Sequence, residues 1–192
     1  MKNILILITF FALMVSCASD SSLTDEEVEN YTEQGKEIVQ ASFKKLSSQL
    51  KTAMIAGGVQ NAIGFCNATA LAITDSLSTE HNAIIKRTSL KLRNLQNSPD
   101  SLEAKMLDMY QIMSRMRNPI MVPKIIVKSN SEIQFYAPIM IANETCLKCH
   151  GVIGETMKAD DYDIIKQYYP NDKAVDYKIG QFRGMWSVTL KR

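Results

Sequence analysis

The sequence predicts an α+β domain: an antiparallel sheet flanked by helices and led by a long N-terminal helix. Three observations predict it. Apolar residues recur at helical spacing from Val28 onwards. β-branched runs with turn residues between them come only later in the chain. Short helical stretches are interleaved with those runs, without the regular strand–helix alternation of a parallel sheet. The 192 residues suit one domain of ordinary size plus a leader, and 46% hydrophobic with 22% charged residues is the composition of a chain with a real core. A formal net charge of +2 gives no electrostatic case for nucleic acid as a partner.

The first helix opens at a capping-box pattern, Thr24 and Glu27. Val28, Tyr31, Ile38, Phe43, Leu46, Leu50 and Met54 then recur at helical spacing up to Gly57-Gly58, which stop it. A second helix starts near Val59. In it Ala62, Ile63, Cys66, Ala70 and Ile73 share one face, so Cys66 is placed on the buried side among small residues. Residues 75–82 read as the exit turn. Ala83 to Leu92 reads as a strand carrying Lys86, Arg87 and Lys91, and residues 94–97 as a loop. Ser98-Pro99-Asp100 reads as a helix start with Ser98 as the cap and Pro99 at the first helical position, and the helix runs to about Met116. Met106, Met109, Met113 and Met116 form a stripe on it that reads as core packing. Lys124 to Lys128 and Glu132 to Ala142 predict a hairpin across Ser129-Asn130-Ser131. A short helix at residues 146–150, a helix from Asp160 to Tyr169 closed by Pro170, and a terminal strand within Tyr177 to Leu190 complete the chain.

Cys146-Leu147-Lys148-Cys149-His150 carries the most specific chemistry. Two cysteines one helical turn apart suit two thioether bonds to the vinyl groups of a porphyrin, and the following histidine then projects under the iron. That is the attachment pattern of one covalent haem c, with Cys146 and Cys149 as thioether donors and His150 as proximal ligand. A zinc site would need about four ligands, and only Cys17, Cys66 and His81 are left to supply them. A redox dithiol needs no histidine. For the second axial position the residues leave several candidates: Cys66, His81, a methionine such as Met140 or Met185, or none. Arg87, Arg93, Arg117 and Arg183 are candidates to pair the propionates, since a guanidinium fork suits carboxylates.

The leader fixes an expected address. Met1-Lys2-Asn3 is a short basic start, and Ile4 to Val15 is an apolar run too short to span a bilayer comfortably. Met14-Val15-Ser16-Cys17 resembles a bacterial lipobox. The expected division is therefore a signal peptide at 1–16, a lipid-anchored tether at 17–23 with membrane contact through a lipid on Cys17, and one domain at 24–192. This makes the chain an exported periplasmic or outer-membrane lipoprotein. Cys66 is then the leftover cysteine in an oxidising compartment.

Several separated blocks resemble one known family. They are Ala62-Ile63 with Cys66; Arg87 to Asn94 followed by Asn97-Ser98-Pro99-Asp100 and Glu103; Tyr136-Ala137-Pro138-Ile139 with Cys146 to Gly151; and Tyr169-Pro170, Asp172, Ala174, Tyr177, Gly180 and Arg183-Gly184. Over roughly residues 28–192 the chain is similar to the bacterial single-haem c-type proteins with a PAS-like sensor fold, long catalogued as a domain of unknown function. Leu95 departs from the pattern, where the family usually has proline. The resemblance implies a PAS-like antiparallel sheet flanked by helices. It also implies Cys66 as second axial ligand and favours Arg87 and Arg183, within the matched blocks, for the propionates.

The expected function is a haem-based redox or small-ligand sensing module with His150/Cys66 ligation. A redox or signalling protein partner would carry its output. The alternatives are an electron-transfer cytochrome c and a small haem peroxidase. Two strong axial ligands would argue against the last, so no enzymatic activity is expected.

Overall fold

The computed structural model describes residues 22–192; the leader, Cys17 and most of the tether lie outside the described residues. Helix α1 spans Asp25–Glu80. The capping box opens it as expected: Thr24 N–H donates to Glu27 Oε2 at 2.8 Å, and Glu27 N–H to Thr24 Oγ1 at 3.2 Å. At Gly57 and Gly58 the backbone leaves the helix, with φ +65° at Gly58, a left-handed value that glycine takes without a Cβ clash. The glycine pair divides α1 into two arms, residues 25–56 and 59–80. A straight helix would set Ile38 and Leu77 about 58 Å apart. Both lie in one buried cluster with Phe135, Trp186 and Val188, so the arms fold back on each other over the sheet.

The second arm continues to Glu80, through most of the turn expected at 75–82. Its polar composition is absorbed locally: the hydroxyls of Thr74, Ser78 and Thr79 each donate to the carbonyl four residues back, and Leu77 is buried. The reversal is instead confined to His81 and Asn82.

Strand β1 is Ile84–Thr88, shorter than expected, because Ser89 turns the chain by bonding Lys91 N–H through its hydroxyl. A 3-10 turn at Leu95–Asn97 precedes helix α2, Ser101–Met113. The cap of α2 is Asp100, not Ser98. Asp100 Oδ1 accepts from Leu102 and Glu103 N–H at 2.9 and 2.8 Å, while the Ser98 hydroxyl is spent on Leu95 O at 2.6 Å. Pro99 therefore stands before the cap. The helix ends at Met113; Met106, Met109 and Met113 pack in the core as expected, whereas Met116 lies beyond the end and is exposed.

Strands β2 (Lys124–Ser129), β3 (Glu132–Met140) and β4 (Phe182–Lys191) complete an antiparallel sheet of order β1-β4-β3-β2. Side chains alternate across it. Phe135, Ala137, Trp186 and Val188 face α1, while Tyr136 and Met185 face Met106, Leu107 and Tyr110 of α2. The result is the α+β architecture expected, with helices on both faces. Helices α3 (Glu144–His150) and α4 (Ala159–Tyr168) lie in the excursion between β3 and β4. The last strand begins only at Phe182, because Tyr177 N–H is held by His150 O and the chain turns at Gly180.

Candidate cofactor site

Helix α3 is two turns long and is positioned by its ends. Asn143 Oδ1 accepts from Thr145 N–H at 3.0 Å, and Gly151 N–H donates to Leu147 O at 2.8 Å. Leu147 is buried with Ile141 and Tyr177, which anchors one face of the helix. Cys146 and Cys149 are left half-buried and free. Gly151 is required by close packing: a Cβ there would meet Thr156 Oγ1 at 2.1 Å and Leu147 O at 2.6 Å. Cys149 packs against Val59, Ile63, Met157, Ile165 and Tyr169, which joins α3 to the second arm of α1 and to α4.

His150 Nδ1 lies 2.7 Å from Ala174 O. A carbonyl only accepts, so Nδ1 carries the proton and Nε2 presents its lone pair. Burial, reinforced by the charges of Arg183, Arg93 and Arg87, holds the imidazole pKa well below the usual histidine range. The ring is therefore neutral near pH 7. It stands edge-on to Tyr177, with centroids 6.3 Å apart at 85°.

Cys66 is half-buried on the second arm of α1. Burial raises its thiol pKa, and Arg87 and Arg93 oppose that shift. Burial likewise pushes the Cys149 thiol up to about 11, with Arg93 opposing and Cys66 adding to the rise. The two thiols thus feel each other, and Cys66 feels the same two arginines as His150. The fold brings Cys66, Cys149 and His150 to one cation-rich region.

The arginines differ in what they do. Arg87 sits 5.5 Å over the Trp186 ring and makes no hydrogen bond or ion pair among the described residues. Arg183 donates from Nη1 to Ser89 Oγ at 2.6 Å and Lys91 O at 3.1 Å, yet its Nε is buried without a partner. Burial lowers the pKa of both. Arg93 is committed to protein: it forks onto Asp172 at 3.2 and 3.1 Å and donates to Cys149 O at 2.5 Å and Ala174 O at 3.3 Å. Arg117 is exposed beyond the end of α2 and outside this region.

The other candidate axial ligands lie elsewhere. His81 caps the far end of the second arm, about 22 Å along the axis from Cys66; it is half-buried rather than exposed, with Nε2 unpartnered. Met140 and Met185 pack on the α2 face of the sheet, opposite the side that Trp186 and α1 occupy. Sequence reasoning missed Met157, buried beside Cys149, and the roles of Asp172 and the Ala174 carbonyl. A backbone acceptor leaves no residue-type signal; only the proximity of Asp172 to Ala174 in the matched C-terminal block pointed there. Among the described residues no group of three or more His, Cys, Asp or Glu could hold a metal ion.

Two comparisons place the chain among known proteins. Residues 19–191 match the family model described as Tll0287-like. The crystal structure of the cyanobacterial heme-protein Tll0287 superposes with a TM-score of 0.59 at 18% identity, covering 88% of this chain and 98% of that one. At that identity the likeness is one of fold. No curated protein matches the chain. The family match spans all four blocks singled out above, and on that evidence the chain belongs to the Tll0287-like family, a haem-binding family of the PAS-like type.

Proposed function

We propose that the chain is a covalent c-type haem protein of the cell envelope, working as a redox or small-ligand sensing module with His150 and Cys66 as axial ligands. The observation that carries the reading is the convergence of a neutral, oriented His150 and the Cys66 thiol on the same buried arginines, beside the two motif cysteines. The charges fit the group. Arg87, Arg93 and Arg183 bring three positive charges, and among the described residues Asp172 is the only carboxylate any of them pairs with. The two guanidiniums without a carboxylate, Arg87 and Arg183, suit the two propionates of a haem, and Arg183 Nε, which has no partner among the described residues, is a donor for such an oxygen. Arg87 and Arg183 are thus the propionate partners, and Cys146 and Cys149 the thioether donors.

A bound haem supplies an iron that changes oxidation state and can take a small ligand. The chain holds the imidazole neutral and aimed, and presents a cysteine whose thiolate is supported by two cations. That ligand pair favours ferric iron and sensing over peroxidase chemistry, which needs an open distal position. The same reading places the lipid on Cys17 and the domain outside the cytoplasm, where haem c is attached.

The test is expression with a cytochrome c maturation system. One haem per chain should survive denaturing electrophoresis, and Cys146→Ala with Cys149→Ala should abolish it; extraction of the haem into acid-acetone overturns covalent attachment. Ferric protein should give a low-spin thiolate signal in electron paramagnetic resonance. Cys66→Ala should remove that signal and raise the potential, and an unchanged spectrum would leave Cys66 as core packing and favour the electron carrier. Native protein should fractionate with membranes and Cys17→Ser should release it; a leader found intact on the mature protein rules the anchor out.

A further inference from the structure

We propose that Arg93 is a positioning residue that sets how strongly His150 donates to a bound iron, acting through the Ala174 carbonyl that both residues share and balanced by Asp172. The inference rests on the haem reading above. The Ala174 peptide is held at both ends. Its C=O accepts His150 Nδ1–H at 2.7 Å and Arg93 Nη2–H at 3.3 Å, and its N–H donates to Asp172 Oδ1 at 2.9 Å. Arg93 closes the circuit by forking onto Asp172 and by donating to the carbonyl of Cys149, the residue before the histidine. His150 O and Gly151 O accept from Tyr177 and Asp176 N–H at 2.9 and 3.0 Å, which holds the backbone that carries the imidazole beside the Ala174 segment.

The electrostatics of this circuit have a sign. A metal-ligating histidine becomes a stronger donor as the acceptor of its other N–H improves. A carbonyl that also receives a guanidinium is a poorer acceptor, so Arg93 keeps the imidazole from acquiring imidazolate character. The positive charge of Arg93 itself also opposes oxidation of a nearby iron. Both effects raise the potential. Asp172, whose side chain is 0% exposed against 12% for Arg93, offsets part of that charge in a site with little solvent screening. Loss of Arg93 charge should therefore lower the potential, and loss of Asp172 charge should raise it. A pair that served only to tie the segments together would shift both variants in the same direction, since either change breaks the same tie.

The experiment is a redox titration of haem-loaded wild type, Arg93→Gln, Arg93→Lys and Asp172→Asn, with haem per chain measured for each. The expected result is a lower potential in Arg93→Gln, a return toward wild type in Arg93→Lys, and a higher potential in Asp172→Asn. In the haem-free, isotope-labelled chain the His150 Nδ1–H proton resonance should move downfield in Arg93→Gln, because the freed carbonyl accepts more strongly. Shifts of one sign, or no shift, in both haem-loaded variants overturn the proposal, as does failure of both to hold haem that the wild type holds. If the wild type itself takes up no haem, the functional reading fails, and an unmoved proton resonance then overturns this one separately.

Discussion

Two buried tyrosines show how little a side chain's identity says about what its hydroxyl does. Tyr110 and Tyr136 are both fully buried in the core between α2 and the sheet. Tyr110 donates its O–H to Val122 O at 2.9 Å, with Tyr136 O at 3.3 Å, whereas the Tyr136 hydroxyl is buried with no partner. Removing a satisfied hydroxyl strands its acceptors, at a cost of about 1–2 kcal/mol, while removing an unsatisfied one relieves a desolvation penalty. Tyr110→Phe should therefore lower the unfolding free energy by about 1–2 kcal/mol, and Tyr136→Phe should leave it unchanged or raise it slightly. Urea denaturation of both variants checks this, and equal losses would show that Tyr136 has a partner. The position also separates Tyr136 from the proposed cofactor site. It belongs to the block that resembles the family's haem segment, yet it faces α2, and its neighbour in sequence, Ala137, faces α1.

The turn inside α1 tests the helix pair directly. Gly58 has φ +65° and ψ −154°, a region that residues with a Cβ occupy at about 1–3 kcal/mol each. Gly58→Ala should destabilise the protein by roughly that amount, although nothing lies within 4 Å of the added carbon. A thermal melt indistinguishable from wild type would mean that the turn relaxes freely. This turn was legible in the sequence, as were the Thr24–Glu27 box, the hairpin across Ser129-Asn130-Ser131 and the alternation of Trp186, Val188 and Leu190, because each is specified by residues close together in the chain. The misreadings share a cause. Ser98 has the chemistry of a cap, but its hydroxyl closes the preceding 3-10 turn and Asp100 takes the role. Residues 75–80 look like loop by composition, but their hydroxyls bond back into the helix and Leu77 finds the sheet. At the proposed site, Cys146, Cys149 and His150 could be singled out from the sequence because the motif is defined by their spacing. Arg93 was read as one of four propionate candidates because its carboxylate partner, Asp172, stands 79 positions away. Likewise the sequence does not say which face of the sheet Met140 and Met185 occupy; the structure puts both on the α2 side.

Taken together, the two sheet faces differ: the α2 side is an apolar core, and the α1 side is the one toward which the proposed cofactor site lies. The division predicts an alkaline limit to stability set by the core. Burial raises the pKa of Tyr110 and of Tyr136, the latter helped by the charges of Asp100 and Glu103. In the unfolded chain both ionise near the ordinary tyrosine value of about 10. Their contribution is therefore complete below about pH 10 and is lost above it, where the unfolded state sheds protons that the folded state keeps. The loss is up to about 1.4 kcal/mol per pH unit for each tyrosine. Denaturation midpoints followed from about pH 8 to pH 11 should fall steeply past 10 in the wild type and less steeply in Tyr136→Phe; parallel curves would show that Tyr136 does not set the limit. Connectivity adds an order of events. β3 and β4 are adjacent antiparallel strands, paired from Glu132↔Lys191 to Met140↔Phe182. The whole segment that bears Cys146, Cys149 and His150 is thus a single loop let out of a hairpin. On the covalent-haem reading proposed above, an attachment machinery that must grasp two thiols would need only that loop to be open, not the sheet to be undone. Sealing it afterwards falls to contacts reaching across the chain, Arg93 to Asp172 and Lys91 to Val175 O. On that reading, loading would amount to fastening a flap onto the sheet.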